Sequence, residues 1–136
     1  MTFTNYLKLY LATFVAFLAI DMIWLGLVAR GFYARYLGYL LRPDTNWVAA
    51  FLFYLLFILG LLVFVVLPGL KTEALGKTML LGALFGLVCY ATYDLTNLAT
   101  VKHWPLMLTV VDMLWGACLS GAVACVGFLV GSWLQP

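Results

Sequence analysis

Charge is scarce in this chain. Only 9% of its 136 residues are Asp, Glu, Lys or Arg, and seven basic side chains against five acidic ones leave a net charge of +2. With no run of basic residues, that balance excludes a nucleic-acid footprint. Histidine occurs once, at His103, which excludes a haem or multi-histidine iron site. His103 stands beside Trp104 in a turn and reads as an interfacial residue. The three cysteines, Cys89, Cys118 and Cys125, form no CxxC pair and have no histidine near them in sequence. A zinc site is therefore excluded too, and each cysteine reads as a small packing residue. A cleavable signal peptide is also missing. The first apolar stretch is too long for such a segment, carries Asp21, and lacks a small-residue cleavage site, so it is expected to remain in the mature protein.

What is present is hydrocarbon. The chain is 67% hydrophobic, with a mean hydropathy of +1.13. A membrane helix needs roughly 20 apolar residues, so four spans account for most of the length. The expected fold is all-α: one polytopic domain over 1–136, with four transmembrane helices in an antiparallel bundle. The spans are expected at 6–29, 47–67, 76–99 and 105–133. The second should stop at Pro68-Gly69, and the fourth should start on Pro105. The short connections 68–75 and 100–104 make neighbouring helices antiparallel.

The stretch 30–46 departs from the pattern. Phe32, Tyr33, Tyr36, Leu37, Leu40 and Leu41 recur at helical spacing, opposed by Arg30, Arg35 and Arg42. That predicts a short interfacial helix between helices 1 and 2, an anchor or a lid over whatever lies beneath. Pro43 should end it, and Asp44, Thr45 or Asn46 should cap the second span. We call the end of the bundle holding this stretch and 100–104 side B, and the opposite end side A. Side B carries Arg30, Arg35, Arg42 and Lys102 against Lys8, Lys71 and Lys77 on side A. The positive-inside rule then puts loops 30–46 and 100–104 in the cytoplasm.

Three of the five acidic residues fall inside the spans. A carboxylate at bilayer depth costs about 2.5–3.5 kcal/mol and usually marks a functional site. Depth follows from a helical rise of about 1.5 Å per residue. Asp21, eight residues before Ala29, lies roughly 12 Å in from side B. Asp112 and Tyr54, each seven residues into a span, lie roughly 10 Å in. Asp94 lies roughly 8 Å in. All four helices thus place a polar group in one layer. Spacings of three or four put Trp24, Trp115, Asn97 and Tyr90 on the same faces as these aspartates. The candidate ligand-binding set is therefore Asp21, Trp24, Tyr54, Tyr90, Asp94, Asn97, Asp112 and Trp115. The pairs Gly82/Gly86 and Gly127/Gly131 predict close helix packing toward side A. The side-B half is then left to widen into a cavity.

Three functions fit such a layer. In the first, it binds or transports a small polar or cationic ligand. Crowded carboxylates in a low dielectric cannot all be ionised, so binding could be proton-coupled, and Trp24 and Trp115 could face a cation. The small multidrug exporters, with four helices and an intramembrane acid, offer an analogy of plan. In the second, the protein is a membrane enzyme acting on a lipid or isoprenoid through carboxylate acid–base chemistry. The carboxylates could instead hold Mg²⁺, which prefers oxygen ligands; no other cofactor is indicated. In the third, Arg30, Arg35 or Lys102 snorkel inward and the layer is a polar staple. Membrane lipids are the expected surroundings in every case, and a small polar or lipid-like ligand the expected partner.

The segments DMIWLG at 21–26 and DMLWG at 112–116 are near-copies on helices of opposite direction. Together with YDLTN at 93–97, they resemble the small bacterial membrane proteins of domain-of-unknown-function family 2177. The resemblance spans the whole chain. It implies a multi-pass protein of the bacterial inner membrane and says nothing of chemistry.

Overall fold

The computed structural model describes residues 1–41 and 44–135. Four helices long and apolar enough to cross a membrane make up the fold: α1 (Phe3–Leu37), α2 (Trp47–Thr72), α3 (Leu75–Thr100) and α4 (Leu106–Leu134). The Thr2 hydroxyl caps the start of α1 by accepting the Asn5 N–H at 3.3 Å. Asn46 does the same for α2, through Ala49, at 3.2 Å. Glu73, with φ of 52°, turns the chain out of α2 in the left-handed region. Pro105 stands just before α4, where a missing N–H costs nothing.

Two helices run beyond their expected ends, and each does so through a π-helical stretch. In α2 the stretch Leu62–Val66 precedes Pro68. A proline inside an α-helix lacks a donor and clashes with the preceding turn. The wider π turn relieves both, so the helix continues past Pro68-Gly69 to Thr72. In α1 the π stretch is Trp24–Ala29. The α-helix Arg30–Leu37 therefore exists as a short element, but it is joined to the first span rather than separated from it. It ends at Leu37, capped by Gly38, and residues 38–40 form a turn, short of the expected end at residue 42; the stop expected at Pro43 lies outside the described residues.

With 35 residues, α1 is roughly 52 Å long against a hydrocarbon core of about 30 Å. Its last turns do not run out into water. Leu37 is buried with Trp104 and Leu108, and Phe32, Tyr33 and Tyr36 pack against the same cluster. The Tyr39 hydroxyl donates to the His103 carbonyl at 3.0 Å. The segment thus lies over the side-B ends of α3 and α4.

The core is built from Phe17 of α1, Phe57, Ile58, Leu61 and Val66 of α2, and Leu119 and Val123 of α4. Outward, Leu27, Phe64, Leu80 and Leu129 are more than half exposed, as a lipid-facing surface requires. The tightest seam joins α3 to α4. A Cβ on Gly82 would meet Ala124 at 2.6 Å, and one on Gly86 would collide with Ser120 and the Gly116 carbonyl. Gly127 and Gly131 serve other neighbours, Thr13 with Val66 and Leu70 respectively. In contrast, α2 packs on α3 from Leu62 onward. Nearer side B the two helices diverge, bridged by Phe85, whose ring lies 5.4 Å from that of Phe57.

Candidate functional site

The divergence of α2 from α3 leaves a cavity of about 400 Å³ in the side-B half. From α1 it is walled by Asp21, Trp24, Leu25 and Tyr33; from α2 by Ala50, Phe53 and Tyr54. Cys89, Tyr90 and Tyr93 come from α3, and Asp112 and Trp115 from α4. Six of the eight sequence-derived candidates therefore face one space: Asp21, Trp24, Tyr54, Tyr90, Asp112 and Trp115. Among the described residues the wall carries two carboxylates and no basic side chain.

The two copied segments interlock here. Trp24 and Trp115 stack with ring centroids 4.4 Å apart and planes within 9°. The Trp115 indole donates to Asp21 at 3.3 Å. The Trp24 indole stands 3.5 Å from the Tyr33 hydroxyl, which in turn donates to Asp112. Each tryptophan therefore serves the aspartate of the other helix, one directly and one through Tyr33. Because α1 and α4 are antiparallel, the same Asp-x-x-Trp spacing on each produces this crossed exchange. Gly116 makes room beside the stack, since a Cβ there would strike the Tyr90 ring.

Asp94 and Asn97 are not on the wall. Asp94 is fully buried behind it, and neither of its carboxylate oxygens meets a donor. Asn97, half-buried and one turn nearer the side-B end, stays clear of the cavity. The three cations considered as staple partners, Arg30, Arg35 and Lys102, are all exposed. Asp21 and Asp112 are instead satisfied by Trp115 and Tyr33.

Sequence reasoning missed Tyr33, the residue that closes the site. Tyr33 follows Trp24 by nine residues, about two and a half α-helical turns, which would set the two on opposite faces. The π stretch between them widens the turn and brings Tyr33 round toward Trp24. Such stretches occur often at functional sites, but nothing in WLGLVA announces one. Leu25, Ala50, Phe53, Cys89 and Tyr93 were also missed, because an apolar or aromatic residue in a membrane helix carries no sign of what it faces.

Among the described residues no three His, Cys, Asp or Glu side chains gather into a metal-holding group. No curated protein and no solved structure matches the chain. A family model described as a predicted membrane protein, DUF2177, matches residues 6–129, and the chain belongs to that family.

Proposed function

We propose that this protein binds a small cationic or polar ligand within the bacterial inner membrane, with side B toward the cytoplasm. The observation that carries the proposal is the composition of the cavity wall. Two carboxylates, two stacked indoles and four tyrosines surround the space, and among the described residues no basic side chain lines it. Aromatic faces and carboxylates together are the usual surroundings of an ammonium group. The crowding of Asp21, Asp94 and Asp112 in one low-dielectric layer supports exchange of a proton for the ligand, because carboxylates so placed cannot all be ionised. A cation arriving among them would favour their ionised forms and release a proton. Binding of this kind is the elementary step of proton-coupled transport.

Acid–base chemistry on a lipid gains less support. Asp21 and Asp112, the two carboxylates on the wall, are each held by a separate donor, Trp115 and Tyr33, rather than by one another. The test is a titration of the purified protein in nanodiscs with tetramethylammonium, followed by tryptophan fluorescence. A saturable change in the wild type that is absent from Asp112→Asn supports the proposal. No saturable change in the wild type would reject it.

A further inference from the structure

The cavity has a continuation on the lipid-facing side of the bundle. A groove of about 430 Å³ runs between α2 and α3 toward side A, and it shares Phe53 and Cys89 with the cavity. Its α2 wall extends to Phe64, eleven residues beyond Phe53, or roughly 16 Å along the helix. Its α3 wall is Phe85, which touches α2 near Gly60. No charged residue lines it. At the side-B end, the turns Arg30–Leu37 cover the bundle, and Tyr33 closes on Asp112. The gap between α2 and α3 is thus a lateral entrance from the membrane, open where the aqueous route is covered.

We infer that the ligand is a single-chain cationic amphiphile that enters from the bilayer through the gap between α2 and α3. Its amine occupies the Asp21/Asp112 cavity and its hydrocarbon chain lies in the groove beside Phe57, Gly60 and Phe64. This rests on the reading of the cavity as a cation site and extends it to the ligand's tail and its route. The groove is long enough for a medium-length alkyl chain. An anionic phosphate head is disfavoured, because among the described residues neither the cavity nor the groove offers a basic side chain. The groove itself gives little hydrophobic gain, since lipid tails are as apolar as its walls. The head therefore sets affinity, and the groove sets position.

The experiment uses the full chain in phosphatidylcholine nanodiscs. The probe is a single-chain primary amine with a diazirine midway along its chain; a twin carries a phosphate head. After irradiation, mass spectrometry locates the label. We expect it on Phe57, Val63, Phe64 or Phe85, at least tenfold reduced in the Asp21→Asn/Asp112→Asn double variant. A similar reduction is expected in Val63→Trp, which fills the groove from a position already 47% exposed. Should Val63→Trp fail to fold, Leu56→Trp, 68% exposed on the same wall, takes its place. Label spread evenly over all four helices, label undiminished by groove filling, or equal labelling by the phosphate twin would overturn the inference. Tetramethylammonium separates it from the parent reading. If that small cation still binds in an Asp112-dependent way while the groove goes unlabelled, the amphiphile is wrong and the cation site stands. If neither binds, both fall.

Discussion

Replacing Asp94 by Asn should leave the protein at least as stable as the wild type. Asp94 is fully buried, and both of its carboxylate oxygens lack a donor. An unsatisfied buried acceptor costs about 1–3 kcal/mol, and a carboxylate at bilayer depth about 2.5–3.5 kcal/mol. Asn has nearly the same shape and carries no charge. We expect a gain of about 1 kcal/mol, allowing for imperfect geometry, or a few degrees in the unfolding midpoint. Thermal unfolding in detergent can be followed with a thiol-reactive fluorescent dye, because Cys89 and Cys125 are both partly buried. A loss of about 3–5 kcal/mol is the signature of a broken buried ion pair. That result would mean Asp94 has a cationic partner, and it would refute the reading of its carboxylate as unpaired.

Tyr33→Phe should cost about 1–3 kcal/mol, since it strips Asp112 of its donor; the same unfolding assay reads it. Gly86→Leu should be more damaging, at the upper end of the roughly 1–3 kcal/mol of overpacking or beyond, because its Cβ would meet backbone as well as Ser120. Gly26→Ala, with nothing within 4 Å of the added Cβ, should be neutral or gain about 0.4–1 kcal/mol; equal damage from both glycine variants would discredit the seam. In a background with Cys118→Ser and Cys125→Ser, the rate of Cys89 modification by a small thiol reagent should fall when tetramethylammonium is present. An unchanged rate would remove Cys89 from the ligand's surroundings.

The parts of this molecule legible in its sequence are those that membranes dictate. Twenty-residue apolar runs, the turn at 68–75 and the turn at 100–104 fixed four antiparallel spans, because no other arrangement satisfies the backbone in lipid. Depth arithmetic brought Asp21, Asp112 and Tyr54 to one cavity, because helical rise is nearly invariant. It did not put Asp94 on the wall, because equal depth does not decide which way a side chain faces. Angular position was the weak point throughout. Both π stretches alter it, and neither WLGLVA nor LVFVV differs in composition from an ordinary membrane α-helix. The crossing of the two Asp-x-x-Trp copies was visible as a repeat, but its meaning depended on α1 and α4 being neighbours. The seam glycines Gly82 and Gly86 were legible, whereas the divergence of α2 from α3 was not, since both helices are apolar where they part.

The central claim is that the space between Asp21 and Asp112 holds a cationic ligand. Native mass spectrometry of the protein released from its own membranes tests that claim most directly. The account predicts an amine-bearing adduct on the wild type that is missing from Asp112→Asn and from the Asp21→Asn/Asp112→Asn double variant, all three folded. A wild type without any adduct, or an identical adduct on every variant, would contradict it.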